Sequence, residues 1–278
     1  MAWPTRFTSC SHRRHAPERS LGAFPFLSRL VPRAYISFNF RRKPWDDVRV
    51  RRAINMAIDR PVLVDRALLG YGLPALGLYI PAIPWAYNAA ATVPAFDVAG
   101  AEKLLDEAGL TRDADGARLK PRLLSVPFSP FGAIAQVLQE QLRGVGIEAD
   151  VILLTGAEWT QSVYDAKDFD LALTDGTHGP DPDRLNGRFG SRGAANCGAY
   201  TNADFDSAMA DGARQTRLED RAKAYFHAQE ILARDLPFAP LVDLVQFIIT
   251  RDNVTGLPQA EARGWVTFHD YSLVRVKR

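Results

Sequence analysis

Leu123-Leu-Ser-Val126, the run from Ile134 to Leu142, Ile147 to Leu154, Thr155-Gly-Ala-Glu158 and Phe169-Asp-Leu-Ala-Leu173 follow one another without interruption, and their order decides the fold. The first is a short apolar segment of strand type. In the second, Ile134, Val137, Leu138 and Leu142 recur at the spacing of an amphipathic helix, which Gly144 and Gly146 end. Ile147 to Leu154 reads as a strand. Thr155 and Glu158 stand at capping-box spacing, where their side chains satisfy orphan backbone donors and open a helix carrying Trp159 and Val163. Phe169 to Leu173 is a third strand. Strand, helix, strand, helix, strand predicts a mixed or parallel sheet covered by helices, an α/β fold.

Outward from this core the pattern continues. Tyr35-Ile-Ser-Phe-Asn-Phe40 alternates as a strand does. Asp46 or Asp47 is placed to cap a helix with Val50, Ala53, Ile54, Ala57 and Ile58 on one face. Arg49, Arg51, Arg52 and Arg60 occupy the other faces and read as a solvated surface rather than an anion site. Pro61 opens a helix through about Leu69, and Asp97 caps another that stops at Gly109. Between them, Gly70 to Phe96 mixes glycine and proline with Tyr71, Tyr79, Trp85 and Tyr87. It reads as a loop pinned to its own domain or as the aromatic wall of a ligand cleft. Helices follow near 203–213 and 218–234, then an apolar segment from Leu241 to Thr250 that reads as a buried strand. Trp265, Phe268 and Tyr271 suggest further extended structure in the tail.

Composition sets the outer limits. A chain of 278 residues, 47% hydrophobic and 24% charged, suits one or two globular domains with a sizeable core. The net charge of +2 gives no case for nucleic-acid binding. Residues 1–34 hold six arginines against Glu18 alone, so the remainder carries −3. Pro4, Pro17, Pro25 and Pro32 break this basic segment, and Leu21 to Leu27 makes a poor signal core. Residues 1–34 are therefore expected to be a disordered or non-native leader that packs poorly. Cys10 and Cys197 lie far apart without metal-ligand spacing, and no run of 18 apolar residues occurs.

Thr174 to about Gly198 carries almost no apolar periodicity beyond Leu185 and Phe189. Loops this long are uncommon unless functional or disordered. This one directly follows a hydrophobic strand, where open α/β sheets bind ligands. It concentrates Asp175, His178, Asp181, Asp183, Arg184, Arg188 and Asn196. His178 with the aspartates has metal-ligand chemistry, but no two of them stand at i, i+4 and Pro180 and Pro182 stiffen the run. No Gly-x-Ser-x-Gly elbow, phosphate loop or His-Glu-x-x-His motif is present. The loop is expected to recognise a ligand, with Asp175, His178, Asp181, Arg188 and Asn196 as binding residues and Trp159 beside them. No catalytic residue or metal ligand is assigned.

Pro44-Trp-Asp-Asp-Val-Arg-Val-Arg-Arg-Ala-Ile54 with Ala57-Ile-Asp-Arg60, then Asp97 to Gly109, Gly179-Pro-Asp-Pro-Asp183 and Leu236-Pro-Phe-Ala-Pro-Leu241, resemble family 5 of the extracytoplasmic solute-binding proteins of ABC importers. The order and spacing of these segments carry the match over about 35–258. The resemblance implies a periplasmic-binding-protein-like fold, two lobes closing on a peptide, a nickel complex or another small solute. It further implies delivery to a membrane permease and a periplasmic or extracytoplasmic location; a monomer without cofactor or nucleic-acid partner is expected. On this view the chain is truncated: it holds the second lobe at 41–235 and a return segment at 236–258 without sheet partners, followed by a tail at 259–278. In peptide-binding relatives an acid just before the Asp-Pro-Asp motif receives the ligand's amine; here His178 stands there, so Asp175 could serve a cationic ligand, with neutral and anionic ligands equally open. The alternatives are a solute-sensing domain of a transcriptional regulator and a metal-dependent hydrolase using the 175–188 loop.

Overall fold

The structure, a computed structural model, describes residues 21–26, 32–81, 83–177, 181–251, 253–255 and 274–276. In chain order the first elements are β1 (Leu21–Phe26), β2 (Pro32–Phe38), α1 (Val48–Ala57), α2 (Arg60–Leu68), β3 (Gly72–Pro74) and α3 (Val98–Glu107). Next come β4 (Arg122–Ser125), α4 (Phe131–Gly144), β5 (Asp150–Leu153), α5 (Gly156–Thr160), β6 (Leu171–Thr177) and α6 (Arg184–Phe189). The chain continues through α7 (Ala203–Arg214), α8 (Leu218–Asp235), β7 (Phe238–Leu244), β8 (Gln246–Arg251), β9 (Val254–Thr255) and β10 (Arg275–Val276).

Six strands form one mixed sheet in the order β3-β7-β2-β6-β4-β5. β4 runs parallel to β5 and β6, while β2 is antiparallel to β6 and β7. Successive side chains of a strand point to opposite faces, and here both faces are covered. Ile36, Phe38, Leu171, Leu173, Ala239 and Leu241 bury under α1 to α4. Tyr35 and Phe238 turn the other way, onto α6, α7, α8 and the loop around Leu78–Ile83. Leu124, Phe169 and Ala172 form a smaller cluster there with Val163 and Cys197. That double coverage is why these strands read as near-continuous apolar runs.

Local chemistry sets the helix starts. Asp47, Asp59 and Asp97 each accept a backbone N–H from the first turn of α1, α2 and α3. Thr155 and Glu158 form the full capping box of α5, which continues as a π-helical turn over Gln161–Asp165. α8 is capped at Leu236, and Asp235 ties that end to the loop before α7. It accepts hydrogen bonds from the Tyr200 hydroxyl and Asn202 Nδ2, both at 2.7 Å, and from Arg234 Nε at 2.7 Å. Burial pushes this carboxyl up, but the three donors outweigh it and Asp235 titrates below the ordinary aspartate range. A carboxyl lowered by folding stabilises the fold above its unfolded pKa, and that contribution disappears as pH falls through the folded value. Asp235→Asn is therefore expected to lower the urea midpoint at pH 7 and to converge with the wild type in acid; a gap that persists unchanged at pH 3 would refute this role.

Several expectations need correction. Residues 21–26 form a strand paired with β8, and 32–34 enter the main sheet, so the leader expected to pack poorly is part of the fold there; 1–20 and 27–31 lie outside the described residues. Arg33 is fully buried because Asp243 receives its Nε and Nη2 at 2.6 and 3.0 Å, and the Gly77 carbonyl receives Nη1 at 2.7 Å. The return segment does find sheet partners: β7 lies between β2 and β3. Arg49 is exposed and Arg52 half-buried, but Arg51 and Arg60 are buried. Arg51 donates to the carbonyls of Trp45, Asp235 and Leu236, and Arg60 to those of Pro240 and Asn55. Orphan carbonyls at the end of α8 are natural acceptors for a guanidinium.

Gly70 to Phe96 is held against α8. Gln229 donates to the Ala86 carbonyl and accepts from the Asn88 N–H, and Trp85 packs edge-on against Tyr225 at 6.2 Å. The tail residues Trp265, Phe268 and Tyr271 lie outside the described residues, as do Cys10 and His178. No helix among the described residues is long and apolar enough to cross a membrane.

Candidate functional site

The parallel strands β4, β5 and β6 end at Ser125, Leu153 and Thr177, on one edge of the sheet. The segment following β6 is not the structureless loop expected. β6 extends to Thr177, and α6 folds within the segment because Leu185 and Phe189 sit one helical turn apart and both bury. Beside α6 an open cleft of about 640 Å³ is lined by Asp181, Asp183, Arg184, Arg188 and, from α8, Arg221.

Each polar group of the cleft has a distinct position. Asp181 receives Arg221 Nη2 on both carboxylate oxygens, at 2.9 and 2.8 Å. Arg221 also donates to the Tyr225 hydroxyl at 3.1 Å and lies over the Trp85 ring at 5.2 Å. Burial, then the charge of Asp181, pushes the Asp183 carboxyl up, against the opposing effect of Arg221. Arg188 Nη1 donates to the Tyr35 hydroxyl at 2.6 Å and to the Asp175 carbonyl at 3.4 Å. Tyr35 is fixed in turn by edge-on contacts with Phe189 and Phe238. The Asp175 carboxyl keeps contact with solvent but stands among dense protein, whose desolvation pushes it up while Arg188 opposes the shift.

The sequence-predicted residues thus fall in three places. Asp181 and Arg188 line the cleft together, and Asp175 adjoins Arg188 at the end of β6. Asn196 lies beneath them, holding the loop by donating to the Gly190 and Tyr200 carbonyls and accepting from the Tyr200 N–H. Trp159 stands apart from this cleft, edge-on to Tyr164 at 5.6 Å. His178 lies outside the described residues. Tyr35 and Arg221 are not among the residues the sequence points to, whereas Trp85 belongs to the aromatic stretch read either as a pinned loop or as a cleft wall, and here it lies against Arg221. Arg221 stands one turn before Tyr225 on α8, but its partner Asp181 is 40 residues away and no local pattern joins them. Among the described residues no group of three His, Cys, Asp or Glu side chains is placed to hold a metal.

A mixed sheet with helices on both faces and a polar cleft beside α6, in the segment that follows β6, make a periplasmic-binding-protein-like lobe. Residues 32–196 match the family described as bacterial extracellular solute-binding proteins, family 5 middle, and the chain belongs to that family. It is 28% identical over 248 residues to heme-binding protein A of Haemophilus influenzae, covering 86% of this chain and 44% of the relative. With the probable di/tripeptide-binding protein 5 of Pseudomonas aeruginosa it is 32% identical over 255 residues, covering 88% and 46%. The oligopeptide-binding protein AppA of Bacillus subtilis, solved with a nonapeptide, superposes with a TM-score of 0.78 at 23% identity, covering 93% of this chain and 53% of that one. The chain spans about half the length of the curated relatives it matches.

Proposed function

We propose that this chain contributes the ligand-binding second lobe of the substrate-binding component of an ABC importer for peptides or similar small solutes. Its partners are the solute and a membrane permease, and its place is extracytoplasmic. It binds rather than transforms: the cleft pairs Asp181 with Arg221 and Arg188 with Tyr35, arrangements that fix side chains instead of activating a nucleophile. Asp175, Asp181 and Arg188 are the proposed ligand-facing residues. The observation that carries this reading is the polar cleft beside α6, in the segment that follows β6, inside a chain of this family. Relatives that bear names of heme-binding and di/tripeptide-binding proteins support a small-solute or peptide ligand.

Transport of this kind rests on closure, in which contacts from two walls of a cleft favour the closed state. The described residues supply one wall. Isothermal calorimetry of the 278-residue chain with di- and tripeptides is accordingly expected to give no submicromolar binding. Amide spectra titrated with the same peptides at millimolar concentration should shift around 175–196 and α6. Shifts confined to the opposite end of the sheet, or turnover of the peptide, would overturn the assignment.

A further inference from the structure

The two arginines of α6 lack the direct carboxylate partner that Arg221 has, and Asp175 acts on Arg188 only through space. Arg184 and Arg188 lie four residues apart, one turn of the same short helix, and both line the cleft. Neither makes an ion pair with a described carboxylate, whereas Arg221 across the cleft is matched by Asp181. Arg188 is also held in place. Its Nη1 is committed to Tyr35 and the Asp175 carbonyl, and its guanidinium lies against the Gly176 backbone. A Cβ at residue 176 would come within 1.8 Å of Nη2, so only glycine leaves room for this pose. Its Nε and Nη2 make no hydrogen bond with any described residue, and together they form the edge that grips a carboxylate with two parallel bonds.

We propose that Arg188, supported by Arg184, receives a carboxylate group of the transported solute on its Nε–Nη2 edge. This rests on the solute-binding reading and narrows it: the ligand is an acid at the end that meets α6. The lining carries three arginines against two aspartates, Asp181 and Asp183, and the Asp175 carboxyl beside Arg188 adds a third acid. Asp181 is already paired with Arg221. Tyr35 and Gly176 act as positioning residues, holding the guanidinium so that little side-chain freedom remains to be lost on binding.

The test uses the 278-residue chain and three uncharged-amine probes: N-acetyl-dialanine, its carboxamide, and N-acetyl-aspartate diamide analogues carrying only a side-chain carboxylate. Binding is read from the Arg188 Nε–H and Gly176 amide resonances. The acids are expected to shift both signals and to bind about tenfold or more tightly than the carboxamide, as a charge-assisted pair warrants. The stronger of the two acids tells a terminal carboxylate from a side-chain one. Arg188→Gln should remove the preference for the acids, Arg188→Lys should restore part of it, and Gly176→Ala should weaken it by displacing the guanidinium. If acid and carboxamide shift the 175–196 region equally in the wild type, the carboxylate inference is overturned while solute binding stands. If none of the probes, nor free di- and tripeptides, shifts that region at millimolar concentration, both readings fall.

Discussion

Asp243→Ala is expected to cost about 3–5 kcal/mol in equilibrium unfolding, the range for removing one partner of a buried ion pair. Arg33 would remain wholly enclosed, with one carbonyl acceptor in place of a carboxylate that now receives Nε and Nη2. The penalty belongs to the stranded cation more than to the lost bond. Replacing both groups with apolar residues, Arg33→Met with Asp243→Leu, should recover most of the loss, since a buried pair seldom outweighs well-packed hydrocarbon. Urea unfolding of the two variants decides the matter: a cost under about 1 kcal/mol for Asp243→Ala, judged against the same range, would show that the pair is solvated in practice.

Phe238→Ala is the second large effect, about 3–5 kcal/mol for truncating a fully buried phenylalanine. Its ring stacks on Phe189 with centroids 4.3 Å apart and meets Tyr35 edge-on at 5.5 Å. Phe189 belongs to α6 and Tyr35 holds Arg188, so the cavity would open directly beneath the cleft. Phe238→Leu keeps part of the volume and should cost clearly less. Equal losses for the two variants in chemical denaturation would mean that the site collapses freely and that the aromatic stack contributes little.

The sequence discloses this fold wherever the information is local. Asp47 and Asp97 cap the helices they precede, Thr155 and Glu158 close their box, and the Phe169–Leu173 alternation marks the central strand. Distant partnerships stay hidden. Arg51 and Arg60 look like surface residues on their own helices, and only the return of the chain through 235–240 supplies the carbonyls that bury them. The apolar run from Leu241 to Thr250 reads as one strand, but it is split between β7 and β8. Pro240, without an N–H, is accommodated in β7 where the ladder with β2 shifts register at Ala34/Tyr35. Of the candidate site, Asp175, Asp181 and Arg188 are legible because they crowd one segment at the end of a strand and beyond it. Tyr35 and Arg221 are not, since they reach it from the ends of the domain.

The register of the sheet carries one more consequence. Pro32 stands opposite Thr177, and Arg33 opposite Asp243, so the chain enters by β2 and leaves by β7 at the same rim where β6 delivers its polar segment. Beyond that rim β1 and β8 run side by side as an antiparallel ribbon. The two strands that join the sheet to this ribbon, β2 and β7, are the ones held to each other by the buried Arg33–Asp243 pair.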